Sequence, residues 1–84
     1  MNPVFLNDLI VSNPEICHGK PVFVGTRIMV WQVLEMLAMD STAKNILETF
    51  PSLNASHIKS ALDYASFLTR EKYASTENQT QVFA

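Results

Sequence analysis

Apolar residues in the first third of the chain fall in short runs, and after that they recur at helical spacing. The runs are bounded by Pro, Gly and Asn, which is typical of short strands joined by turns. They cover residues 9–11, 21–24 and 28–30. Gly19 and Gly25, the only two glycines, bound the second run and can supply the positive φ of a tight reversal. The pattern predicts a short N-terminal β-hairpin over about residues 8–29.

From Val30 the apolar period changes to that of an α-helix, which continues to Ala38. A second helix follows Ser41, which is a suitable N-cap, and it ends before Pro51. Asn54 is the N-cap of a third helix that we expect to reach residue 70 or 73. Its predicted core stripe is Ile58, Ala61, Leu62, Ala65 and Leu68.

The connection between the second and third helices is only about four residues long, which is the skeleton of a helix-turn-helix, although many small helical domains share this spacing. We therefore expect a mainly α fold, with three helices in a helix-turn-helix bundle behind the hairpin. Residues 1–73 would form this single domain. Residues 74–84 are polar and form a predicted tail, in which Val82 and Phe83 are the plausible anchors.

Composition suggests that this small chain meets another polypeptide. Its 84 residues suit one domain, yet 48% of them are hydrophobic, which is rich for that length. We expect the surplus apolar surface to be covered by a partner or by a second copy, which makes a homodimer the predicted state. The net charge of −2 lacks the basic surplus of a free-standing nucleic-acid binder.

The chain shows no feature of a secreted or membrane protein. Cys17 is the single cysteine and cannot form an internal disulfide. The N-terminal residues lack the basic start of a signal peptide, and no apolar run approaches the ~18 residues of a membrane span. The prediction is a soluble, cytoplasmic protein with no membrane partner.

No motif points to catalysis or to a cofactor. Gly19 and Lys20 resemble part of a phosphate-binding loop, but Pro21 follows and the other glycine of that motif is missing. Cys17 and His18 offer too few ligands for zinc, and His57 is distant in sequence. No nucleophile, base and orienting group converge. We expect no enzyme activity, no metal, no cofactor and no small-molecule substrate.

Several side chains have both a structural and a partner-binding interpretation. Arg27 precedes the first helix, where it could cap carbonyls, pair with a carboxylate such as Asp63 or Glu35, or else contact a partner or a phosphate. Trp31 suits the core or the centre of a dimer interface. Tyr64 and Phe67 lie off the predicted core stripe, and we count them with Trp31 as candidate dimer residues.

The start of the third helix is the candidate DNA-binding surface, because in a helix-turn-helix the N-terminal residues of the second helix reach base edges. An ordinary solvated helix face is the alternative. The candidate DNA-binding residues are Lys44, Asn54, Ser56, His57, Lys59 and Ser60.

A family resemblance covers about residues 9–67, which is most of the chain. Asn13-Pro14-Glu15-Ile16-Cys17, Gly19-Lys20-Pro21-Val22, Gly25-Thr26-Arg27 and Val30-Trp31 are similar to motifs of the domain of unknown function 433 family. Further matches continue to Tyr64-Ala65. The family motif residues, which are also candidate partner contacts, are Gly19, Lys20, Pro21, Gly25, Thr26 and Arg27.

The resemblance implies a homeodomain-like three-helix domain with an N-terminal β element. It also implies a VapB-like antitoxin that binds a PIN-like toxin and, as a dimer, its operator DNA. The alternative is a protein-interaction module without DNA contact. Three residues depart from the family pattern, namely His18, Asp40 and His57. Asp40 replaces a glycine, so we expect it to adopt the left-handed conformation.

Overall fold

The computed structural model describes the backbone of residues 2–75 and the side chains of residues 2–70. Three strands and a short 3-10 turn precede three helices. The elements are β1 (Val4–Asn7), β2 (Ile10–Ser12), the turn Cys17–Gly19, β3 (Val22–Phe23), α1 (Val30–Ala38), α2 (Ala43–Thr49) and α3 (Ala55–Ser75). Most of the predicted tail, including Val82 and Phe83, lies outside the described residues.

The strands form one antiparallel sheet in the order β1-β2-β3. The predicted fold class is therefore wrong: the chain is not a mainly α, homeodomain-like bundle behind a hairpin, because a three-stranded sheet begins at Val4. The run from Val4 to Asn7 is too short to signal a strand alone. It becomes one because Phe5 faces Val11 across the sheet.

The third apolar run predicted for the hairpin does not form a strand. Residues 28–30 contribute only an isolated bridge between Met29 and Val22, and α1 begins at Val30. The turn at Gly25 is closed by Thr26, whose hydroxyl donates to the Phe23 carbonyl at 2.8 Å. Gly19 and Gly25 have φ values of 84° and 79°, which confirms that they supply positive φ at the ends of this segment.

One core joins the sheet to all three helices. Its buried members are Ile10, Phe23, Val30, Val33, Ile46, Leu53, Ile58 and Ala61. The core stripe predicted for α3 is partly wrong, since Leu62 is 49% exposed and Tyr64 packs against the core instead. Ser60 bonds to Asn7 of β1, and Tyr64, which lies four residues further along the same face of α3, packs against the core.

The helix boundaries follow local side-chain chemistry. Thr42, and not Ser41, caps α2 by accepting a bond from the Asn45 N–H at 3.1 Å. Asp40 has a φ of 68°, which confirms the expected left-handed residue between α1 and α2. Asn54 accepts from the Ser56 N–H at 2.9 Å and confirms the predicted cap of α3. In the described part of the chain, no helix has the length and apolar character that crossing a membrane requires.

Candidate functional site

The family motif residues lie on two loops, residues 17–21 and residues 25–27, which we call the motif loops. The two motif loops lie side by side. The Cys17 thiol donates to the Arg27 carbonyl at 3.7 Å, and the Lys20 N–H donates to the Cys17 carbonyl at 3.1 Å. Cys17, His18 and Gly19 are three consecutive residues with positive φ, a conformation that costs a non-glycine residue about 1–2 kcal/mol. Ser12 supports this turn by donating to the Gly19 carbonyl at 2.6 Å. The turn therefore presents Lys20 at a fixed place.

The two cations of these loops have no carboxylate partner among residues 2–70. Within residues 2–70 the ion pair is that of Lys59 with Asp63, at 2.9 Å. The predicted pairing of Arg27 with Asp63 or Glu35 is therefore wrong, and the interpretation as a partner contact stays open. Arg27 and Lys20 are both exposed.

A groove of about 450 Å³ opens beside these loops. Its walls come from the Lys20 loop, from α1 and from the second half of α3. The lining residues are Lys20, Pro21, Val30, Trp31, Leu34, Tyr64 and Leu68. Lys20 is the one charged side chain among them, and the rest of the lining is apolar except for the Tyr64 hydroxyl. The Pro21 carbonyl accepts from the Val30 N–H at 3.0 Å, which holds the loop against α1.

Trp31 forms a ridge between this groove and a second hollow. It is 49% exposed, so the expectation that Trp31 is a core residue is wrong. Its indole N–H donates to the Met29 sulfur at 3.3 Å, which fixes the ring without burying it. The second hollow has a volume of about 340 Å³ and is bordered by Glu35. Its lining residues are Trp31, Gln32, Glu35, Met36, Met39 and Phe50.

The other two candidate dimer residues differ from each other. Tyr64 is half-buried, contacts the core and also lines the groove. Phe67 is 48% exposed and does not line the groove. The structure thus brings Trp31 and Tyr64 to one site and leaves Phe67 outside it.

The leading turn of α3, the candidate DNA surface, uses its polar groups within the protein. The Asn54 N–H donates to His57 Nδ1 at 2.9 Å, and the His57 ring meets Phe23 edge-on at 5.4 Å between centroids. Lys59 is engaged by Asp63. Ser56 is exposed, and Lys44 lies apart on α2.

Asn7 is a key residue that sequence reasoning missed. Its amide donates to the Ser60 carbonyl at 3.3 Å, and its oxygen accepts from the Ser60 hydroxyl at 3.1 Å. The same oxygen accepts from the Leu9 N–H at 2.9 Å and closes the turn between β1 and β2. The available signal was the Asn7-Asp8 pair, which is typical of a turn. Nothing in the sequence links it to Ser60.

The cysteine and the histidines do not assemble into a site. The Cys17 thiol contacts the Arg27 carbonyl, whereas His57 caps α3 and packs on Phe23. In the described part of the chain, no three His, Cys, Asp or Glu residues lie close enough to hold a metal ion.

Comparison with known proteins gives a family and one relative. A family model described as "Protein of unknown function (DUF433)" matches residues 10–65. The "Uncharacterized protein y4eO" of Sinorhizobium fredii (strain NBRC 101917 / NGR234) is 38% identical over 58 residues, which is 69% of this chain and 26% of that protein. The chain therefore spans about a quarter of that relative's length. No solved structure matches the chain.

Proposed function

This chain belongs to the DUF433 family of proteins of unknown function, and on that premise we propose that it is a protein-binding module. A partner protein docks on the groove beside Trp31, and the loop that carries Lys20 forms one edge of the contact. The observation that supports this role is the groove itself, an open apolar hollow of about 450 Å³ on a small domain.

Trp31 is the natural anchor of such a contact. Tryptophan is enriched among the few interface residues that supply most of the binding energy. Trp31 is 49% exposed, and its indole N–H already donates to the Met29 sulfur. Burial of Trp31 under a partner would therefore leave no polar group without a hydrogen-bond partner. Leu68, which is 38% exposed, extends the apolar floor from α3.

The family resemblance implies the kind of partner. A PIN-like toxin would make this module antitoxin-like, with the groove as the toxin-binding surface. Homodimer formation and operator binding also stay predictions. The described residues favour DNA binding less than protein binding, because Asn54 and His57 bond to the start of α3 and Lys59 is paired with Asp63 on the surface.

The proposal is tested by Trp31→Ala with Leu62→Ala as the matched control. Both side chains are 49% exposed, but only Trp31 lines the groove. The tagged protein, expressed in its source organism, should co-purify with a stoichiometric partner, as should the Leu62→Ala variant. Trp31→Ala should weaken binding of that purified partner about 30-fold, since a hot-spot tryptophan contributes about 2 kcal/mol.

Thermal unfolding of both variants separates binding from folding. Each should stay within about 1 kcal/mol of the parent, because each replaces a half-exposed side chain. Equal loss of partner in the two variants, full retention in Trp31→Ala, or the absence of any stoichiometric partner would contradict the groove as the docking surface.

A further inference from the structure

The charges of this chain are unevenly distributed. The whole protein carries eight acidic and six basic side chains. Residues 16–34 contain Lys20 and Arg27 and no acidic residue, so the remainder has eight acidic against four basic side chains. An acidic protein therefore has a segment with a formal charge of +2.

The groove beside Trp31 is built mainly from that segment. Five of its seven lining residues fall within residues 16–34, and no carboxylate is among the seven. The hollow on the other side of Trp31 is bordered by Glu35. The groove on one side of the Trp31 ring therefore has a lysine and no carboxylate, whereas the hollow on the other side has a glutamate. The remaining lining of both is mainly apolar.

Neither cation is neutralised by a carboxylate of residues 2–70. Lys20 and Arg27 are exposed and join no ion pair among residues 2–70. Arg27 does not line the groove, but its loop is held against the Lys20 loop by the bond from the Cys17 thiol to the Arg27 carbonyl. An exposed guanidinium or ammonium group near an apolar surface recognises carboxylates and steers an acidic partner toward it.

We propose that the groove takes an amphipathic, acidic segment of another protein, with apolar side chains against Trp31 and carboxylates toward Lys20 and Arg27. This inference rests on the proposed function and adds the chemistry of the partner. A second copy of the chain is a poor occupant, because a two-fold contact through this face would bring the two cationic segments together.

The chemistry is tested by selection from a phage library of random peptides of about twelve residues, enough for three helical turns. The full chain is immobilised, and each selected peptide is re-tested on the Trp31→Ala and Leu62→Ala variants. We expect Trp31-dependent peptides enriched in Asp and Glu interleaved with Leu, Ile and Phe. Trp31 is the only tryptophan, so its emission reports the binding of a selected, tryptophan-free peptide.

Charge reversal gives the quantitative test. The double variant Lys20→Glu with Arg27→Glu should weaken a selected acidic peptide at least about tenfold, since two attractive pairs become repulsive. The control Lys44→Glu reverses an exposed cation on α2 and should change the affinity about twofold or less. Raising the salt from about 0.05 to 0.5 M should weaken the parent more than the double variant.

The outcomes separate this inference from the docking role itself. Trp31-dependent peptides that are neutral or basic would keep the docking groove and overturn its acidic specificity. The absence of any Trp31-dependent peptide would overturn both. A concentration-dependent shift of Trp31 emission without peptide would place a second copy in the groove and overturn the inference.

Discussion

The motif loops and the leading turn of α3 are both polar, exposed segments, but they use their polar groups differently. In the leading turn, Asn54 and His57 bond to the helix backbone, and Ser60 bonds to Asn7. In the motif loops, the charged groups of Lys20 and Arg27 join no ion pair among the described residues. A polar side chain on the surface is thus available to a partner only where the protein does not already employ it.

The leading turn serves as a joint between the sheet and α3. Asn7 and Ser60 exchange two hydrogen bonds across the two elements, and the His57 ring rests on Phe23 of β3. The motif loops instead expose the charged side chains of Lys20 and Arg27, and their backbones are held by Thr26 and by positive-φ residues. The first region stabilises the fold, whereas the second has two charged side chains that the described residues leave unpaired.

The largest effect on stability is expected from Asn7→Ala. The change removes three hydrogen bonds and leaves the partly buried Ser60 groups with fewer partners, so unfolding should become easier by about 2 kcal/mol. Urea unfolding measures it. Asn45→Ala, at an exposed position on α2, is the control and should stay within about 0.5 kcal/mol. Equal changes in the free energy of unfolding for both variants would contradict the role of Asn7 in joining the sheet to α3.

His57→Ala should have the next largest effect. It deletes the acceptor for the Asn54 N–H and the edge contact with Phe23, at a cost of about 1 kcal/mol. The matched control is His18→Asn, because His18 is exposed with a φ of 58° and Asn tolerates that conformation. A melting temperature unchanged in His57→Ala would show that this turn is not held by its histidine.

Lys59→Ala should have the smallest effect on stability, about 0.5 kcal/mol or less. Its ion pair with Asp63 joins side chains that are 77% and 62% exposed, and surface pairs of this kind contribute little.

The same variant addresses DNA binding, which stays a prediction. With DNA from its own promoter, a real mobility shift should weaken in Lys59→Ala and lose some salt dependence. The absence of any shift at low salt contradicts the DNA prediction.

The sequence by itself determined the features that depend on neighbouring residues. The helical period located α1, α2 and α3, and Asn54 marked the start of α3. Gly19 and Gly25 marked the turns, since few other residues adopt positive φ at low cost. The acid-free run of residues 16–34 was also present in the sequence.

Only the tertiary structure decided which of these features meet. Asn7 and Ser60 are 53 residues apart, and no local pattern predicts their bond or the strand that it supports. In the packed chain, the face of α3 that carries Ser60 also turns Tyr64 toward the core, while Leu62 faces water. The groove likewise needs Lys20, Trp31 and Leu68 from three separate elements. Helical periodicity and turn-forming residues act over a few positions of the chain. Which side chains are buried and which distant groups bond to each other depends on the whole packed chain.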